Sequence, residues 1–293
     1  MPTHIRTMML RTWINRLSGG RLLPPRPVVA VLRLEGIITA QAGLGRRGLS
    51  LPGLAEQIER AFRLDGLAAV ALAINSPGGS PAQSALIQGR IRQFAAEKNV
   101  PVLAFAEDVA ASGGYWLALA ADEIFATEAS ILGSIGVISA GFGFTEVLRR
   151  LGVERRVYKV GDNKAMLDPF LPADPDEVAR LAALQIDLHD GFKAVVRNRR
   201  GARLKPDPEL FSGAIYTGRQ AVALGLADGI GDVRGVLRER FGDRVRLVPI
   251  LPRGGGWLRR RLPGIAEPRL PAEFAWEFLD AIEARAIWGR FGL

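Results

Sequence analysis

The stretch LAAVALAINSPGG (67–79) joins an unbroken apolar run to a turn of serine, proline and two glycines. A strand with one wet face alternates apolar and polar residues. A run without alternation belongs to a strand covered on both faces, as in a parallel sheet. Immediately downstream, SPAQSALIQGRIRQFAAEKN (80–99) reads as a helix, with Ser80 as N-cap and Pro81 at the first helical position. VPVLAFAE (100–107) is a second buried strand, and DVAASGGYW (108–116) turns it into a helix expected over 112–121. Strand, turn, helix, strand, turn, helix is the order of βαβ crossovers, and it predicts an α/β fold with a parallel sheet.

The same pattern extends in both directions. PVVAVLRLEGIIT (27–39) reads as a first strand, followed by the loop AGLGRRGLSLPG and a helix near 53–64. Downstream, DEIFATE (122–128), SIGVIS (134–139) and VERRVYKV (153–160) read as strands, with helices over 145–151 and about 174–200. IYTGRQAVALGLADGIGD (215–232) is a helix with a glycine stop and a turn. A single domain over 28–250 is expected, flanked by a basic segment at 1–27 and by a Gly/Pro/Arg linker with a C-terminal amphipathic helix (251–293, the helix over 271–288). GLGRRG (43–48) matches a dinucleotide fingerprint, but Leu-Ser-Leu-Pro-Gly follows it where a helix should open at once, so no nucleotide site is expected there.

Composition narrows the chemistry. The 293 residues include no cysteine and two histidines, His4 and His189. Thiolate zinc sites, cysteine nucleophiles and histidine-rich metal centres are thereby set aside, and neither a metal nor a cofactor is expected. The net charge of +9 is uneven: residues 1–27 hold five arginines and no acid, and 252–270 hold five arginines and one glutamate. The body between them is nearly neutral. A nucleic-acid-binding fold would carry its basic stripe on the domain, so no nucleic-acid partner is expected. Basic peripheral arms instead suit an anionic membrane surface.

HIRTMMLRTWINRLSGGRLL (4–23) is broken by Arg6, Arg11, Arg16 and Arg21, so it is neither a signal peptide nor a span. It suits an amphipathic helix lying on a membrane, or else a basic leader without fixed structure. The protein is expected in the cytoplasm, peripheral on the inner face of the membrane.

Ser112 lies between two alanines and two glycines, residues too small to cover its hydroxyl. The turns at 76–79 and 112–114 both open at the carboxyl ends of parallel strands, where α/β proteins place their sites. Their glycines leave backbone N–H groups unobstructed, as an oxyanion hole requires, and Gly79 and Gly113 are the candidate donors. A base must take the proton of Ser112. His189 falls in a helix of mixed polarity and reads as solvated. Arginine keeps its proton, whereas lysine can lose it on burial. Of five lysines, Lys98, Lys193 and Lys205 read as solvated, Lys159 falls in an expected strand, and Lys164 sits among small and apolar residues in VGDNKAMLDPF (160–170). Residue types alone leave this choice open.

Taken in order, NSPGGS, ASGGYWLALAAD, GSIGVI, a lysine about fifty residues past the serine, and YTGRQAVALGLADGIG resemble the signal peptide peptidase A (SppA) family. These are Ser-Lys serine peptidases of the ClpP/crotonase superfamily, and the resemblance covers roughly 28–240. It implies a ClpP/crotonase-like repeated ββα superhelix, with Ser112 as nucleophile, Lys164 as general base, Ser134 holding the lysine amine, and Gly79 and Gly113 as oxyanion donors. It implies peptides as substrates, signal-peptide remnants or other loose apolar chains among them. In two-domain relatives the serine and the lysine come from different copies of the domain. A single copy carrying both is therefore expected to form a homo-oligomeric ring with sites shared between protomers. An N-terminal membrane span, common in the family, is replaced by the arginine-broken segment. Two alternatives compete: an inactive membrane-associated scaffold, and an acyl-CoA hydratase or isomerase of the same superfamily. The latter uses acidic catalysts and needs no serine at the second turn.

Overall fold

The computed structural model describes residues 26–40, 48–252 and 285–291. The expected leader helix at 4–23, most of the GLGRRG loop and the linker lie outside them; of the helix expected over 271–288, residues 285–288 are described and helical.

β1 (Val28–Glu35), β2 (Leu67–Ser76) and β3 (Val102–Ala111) lie side by side and parallel at the centre of a sheet. β3 is shared: Leu103–Ala106 pairs with β4 (Glu123–Ala126), and Val109–Ala111 pairs with β5 (Ile131–Gly133), both parallel. The sheet continues antiparallel from β5 to β6 (Ile215–Thr217) and parallel from β4 to β7 (Gly229–Ile230). At the other edge, β8 (Arg246–Pro249) pairs parallel with β1. The expected α/β fold with a parallel sheet is the one observed.

The two faces of the sheet explain the apolar runs. Ala30, Leu32 and Leu34 of β1, with Val70, Leu72 and Ile74 of β2, enter the main core, where α1 (Leu51–Ala61) and α2 (Pro81–Lys98) contribute Leu54, Ile58, Ile87 and Ile91. Their neighbours Val29, Ala69, Ala71, Leu103 and Phe105 point the other way, onto Val236 and Leu237. Side chains alternate along each strand, and both sets are apolar because both faces are covered.

Local signals set the helix ends. Ser80 accepts a hydrogen bond from Gln83 N at 3.3 Å, with Pro81 in the first turn, and α2 stops at Asn99 in the left-handed conformation (φ 50°). α1 starts at Leu51, two residues earlier than expected, since Ser50 caps it and a proline in the first turn costs no hydrogen bond. α3 is short, Gly113–Ala118. α4 (Thr145–Leu151), α5 (Pro175–Arg200), α6 (Gly218–Ala223) and α7 (Val233–Phe241) follow.

Two expected strands are corrected. The strand expected at 134–139 lies at Ile131–Gly133 instead, since those residues meet the end of β3, and Ser134 (φ 51°) turns the chain away. VERRVYKV (153–160) is not a strand: all eight residues are exposed, and none pairs with any described strand.

Candidate active site

The turn after β2 is laced to the segment after β1. Ser76 is buried and donates its Oγ–H to Gly36 O at 2.7 Å. Ile38 N donates to Gly78 O, and Ser80 N donates to Ile38 O, each at 2.8 Å. With both neighbours of Gly79 bound to Ile38, the N–H of Gly79 itself faces the opposite side. Gly79 has φ 139°, and a Cβ there would stand 2.1 Å from Ile38 O. Only glycine fits.

The turn after β3 packs directly on this one. A Cβ on Gly78 would meet Gly113 N and Ser112 Cβ, each at 2.8 Å, and one on Gly114 would meet Ser76 O at 2.3 Å. The serine between these backbones adopts φ 53°, ψ −122°, a conformation that L residues rarely occupy. Such strain persists only where the surroundings enforce it, and a sharp strand-to-helix turn that holds out a serine is the geometry of a nucleophile elbow. Its Oγ makes no capping hydrogen bond to α3. Ser112, Gly79 and Gly113 line one crevice with Pro81, Trp116, Gly136, Val137 and Phe192. Three of the five sequence-derived site residues are thus brought together.

The far end of α3 is clamped. Arg199 donates to Leu119 O at 2.9 Å and to Ala121 O at 2.7 Å, and Arg92 donates to Ala120 O at 3.2 Å. Cations at a helix C-terminus satisfy its free carbonyls and complement its dipole. Behind them the buried guanidinium of Arg200 meets Asp228 at 2.7 and 3.0 Å. Burial would raise the Asp228 carboxyl, but Arg200, the Ile124 N–H and Arg203 outweigh it and hold it below the usual carboxylate range. Burial pushes the Tyr115 phenol well above its ordinary value, and its O–H donates to Leu226 O, so it is a structural donor.

Ser134 directly follows Gly133, whose carbonyl accepts the N–H of Ser112, and Ser134 N donates to Ala214 O at 2.7 Å. Its backbone is anchored close to the elbow. Lys164 lies elsewhere. It is exposed, its backbone N–H donates to Gly161 O at 3.1 Å, and it does not line the crevice of Ser112. It belongs to an excursion, 136–191, in which no residue is buried. The excursion nevertheless carries apolar side chains into solvent: Phe142 is 76% exposed, Leu151 70% and Val160 96%.

His189 is not solvated, as its helix pattern suggested. It is half-buried, with Nε2 3.0 Å from Ile135 O. A carbonyl only accepts, so that nitrogen carries a proton and is unavailable as a base. Trp116 and Phe192, stacked 4.6 Å apart, were not foreseen as crevice walls. Nothing in their sequence spacing distinguishes a wall from core.

The family model described as Peptidase family S49 matches residues 95–241, a span that includes Ser112, Ser134 and Lys164. Among curated proteins, a Brucella abortus (strain 2308) protein named Na(+)/H(+) antiporter NhaA is 48% identical over 287 residues, covering 96% of this chain and 39% of that one. A putative signal peptide peptidase SppA of Enterococcus faecium is 37% identical over 162 residues, covering 55% of this chain and 47% of that one. A putative protease of Synechocystis sp. is 31% identical over 201 residues, covering 69% of each chain. The chain belongs to peptidase family S49, the SppA family. It spans about two-fifths of the Brucella protein and under half of the Enterococcus one. The Brucella name describes a transporter, yet the shared part contains the peptidase segment, and no helix among the described residues is long and apolar enough to cross a membrane.

Proposed function

We propose that this chain is a serine endopeptidase that uses Ser112 as nucleophile and Lys164 as general base. The observation that carries the proposal is the forced elbow: a serine at φ 53° with Gly79 and Gly113 in the same crevice. Ser112 Oγ attacks the peptide carbonyl and a neutral lysine amine accepts its proton. The carbonyl oxygen, now negative, takes hydrogen bonds from the N–H groups of Gly79 and Gly113. The proton then passes to the departing amine, and water hydrolyses the acyl-enzyme by the same route reversed. No step calls for a metal or cofactor. Apolar walls at Trp116, Val137 and Phe192 suit loose apolar peptides.

Lys164 is exposed and away from the crevice in the single chain. A general base has to be neutral, and burial is what favours a neutral amine. Both requirements, proximity and burial, are met if the 136–191 excursion docks on a second copy and brings Lys164 to that copy's Ser112 and Ser134. A closed homo-oligomeric ring with shared sites follows, and the exposed apolar side chains of the excursion become its interface. The basic segment at 1–27 would hold the ring against an anionic membrane, on the cytoplasmic side. The domain runs from 28 to 250, with the flanking segments governing location.

The deciding experiment is labelling with a serine-reactive fluorophosphonate. Wild-type protein should label and hydrolyse an apolar reporter peptide, and Ser112→Ala should do neither. Equal labelling of the variant would remove Ser112 from the mechanism.

A further inference from the structure

The chain leaves the body at Ile135, the last buried residue before the excursion, and the next buried residue is Phe192 on α5. Among the described residues, the side-chain hydrogen bond across the neck between these two points is that from His189 to Ile135 O, 3.0 Å. Around it, the outgoing chain is pinned by Ser134 N to Ala214 O (2.7 Å) and turned by Gly136 N to Ser134 O (2.9 Å), and its residues Gly136 and Val137 form one wall of the crevice. On the returning side, Phe192 stands one helical turn from His189, on the same face of α5, and forms another wall against Trp116. Beyond His189 toward its N-terminus α5 runs free of the body, with Leu184 and Ile186 exposed at 57% and 62%.

We propose that His189 is a positioning residue for peptide cleavage, a clip at the base of the excursion that sets both the crevice wall at 136–137 and the direction in which Lys164 is carried. The inference rests on the Ser112–Lys164 reading above. The reason is geometric. From His189 to its start at Pro175, α5 runs 14 residues, about 21 Å. A small rotation where it meets the body therefore swings its far end, and the loop bearing Lys164 beside it, by several ångströms. Leu167 N, three residues from Lys164, donates to Glu177 Oε2 near the start of α5 at 2.7 Å, so the loop follows the helix. One hydrogen bond at the neck is placed where it controls the lever.

The test compares His189→Gln and His189→Met in the full-length chain. The two replacements have similar length and helix preference, but only glutamine can donate to Ile135 O. With both variants folded, Met should lower kcat about tenfold, the effect of one lost hydrogen bond amplified no further, with KM within about twofold. Gln should recover to within about threefold of wild type. A purely structural histidine would instead lower thermal stability equally in both and leave kcat per folded molecule unchanged. Equal kcat in the Met variant and wild type, or a Gln variant no better than Met, overturns the clip. Should Met fail to fold, His189→Asn serves in its place: a shorter amide should lose the contact and fall below Gln, and an Asn variant equal to Gln overturns the clip. Wild-type protein that neither labels with fluorophosphonate nor cleaves peptide refutes the underlying reading, a result distinct from active wild type with an indifferent His189.

Discussion

Ser112 donates its backbone N–H to the carbonyl of Gly133 at 2.8 Å, which ties the strained residue at the end of β3 to the chain just before Ser134. Gly133 and Ser134 also have positive φ, 96° and 51°. Three left-handed residues on two adjacent strand ends hold one another in place, and the elbow cannot relax without breaking this pairing.

Strain at Ser112 predicts a trade of stability against activity. Ser112→Gly should raise the thermal midpoint by a few degrees, since relief of a positive-φ side chain outweighs the added freedom of glycine in the unfolded chain by about 1 kcal/mol. The same variant should lose hydrolysis by at least about 10³-fold. Ser112→Ala should lose activity equally without the gain. Calorimetry and peptide cleavage on the three proteins check both halves.

Gly79→Ala drives a Cβ to 2.1 Å from Ile38 O, so one of the two backbones must move. A loss of about 2–4 kcal/mol in stability and about 10²-fold or more in kcat is expected, the latter from a displaced oxyanion donor. Gly89 in α2 is the control, with nothing within 4 Å of an added Cβ. Gly89→Ala should stabilise by about 0.5–1 kcal/mol, by helix preference alone, with activity untouched. Urea titrations and initial rates measure both.

Sites shared between copies can be tested by mixing. Ser112→Ala and Lys164→Ala should each be inactive and folded. Mixed and allowed to exchange subunits, they should regain activity approaching a quarter of wild type, because some sites then pair an intact serine with an intact lysine. No recovery after exchange has been demonstrated by mass would place both groups in one chain.

Asp228 predicts the direction of an acid transition. Its folded pKa lies below the ordinary value because of Arg200 and its other partners. The pair therefore contributes fully above the unfolded value near about 3.9, and this contribution is lost as pH falls through the lower folded value. Arg200→Met leaves the half-buried carboxylate with Arg203 and the Ile124 N–H, and about 2–3 kcal/mol should be lost at pH 7. The difference from wild type should shrink toward pH 3; a gap that widens on acidification would refute the assignment.

Deleting residues 1–25 should weaken binding to anionic liposomes in a salt-dependent way and spare cleavage of a soluble peptide. The deletion removes four arginines and no acid, which carry the attraction, and screening at about 0.5 M salt should abolish it. Equal binding at low salt with and without the segment would remove the charge argument.

Much of this was legible in the chain. LAAVALAIN announced a doubly covered strand because both faces of β2 meet apolar layers, and Ser80 with Pro81 announced α2 because capping is a contact within one turn. Ser112, Gly79 and Gly113 could be chosen because a missing side chain is visible in a sequence. VERRVYKV misled, since alternation shows which residues would face a neighbour and not whether a neighbouring strand exists. His189 misled for a related reason. Its helix is of mixed polarity, and the carbonyl it bonds comes from Ile135, 54 residues away.

The sequence by itself determined what depends on nearest neighbours along the chain: strand character, helix caps, the glycine turns and the uneven charge. Tertiary structure alone decided what depends on distance in space. It set the positive φ of Ser112, which follows from the pairing with Gly133 and the close approach of Gly78, and it brought Trp116 and Phe192 together as walls. It also left Lys164 on an exposed excursion, outside the lining of the crevice that holds Ser112. Short-range preferences are written in residue types because they act within a turn or a strand. The meeting of residues far apart in the chain is settled by the packing of whole elements, a collective outcome that no local stretch records.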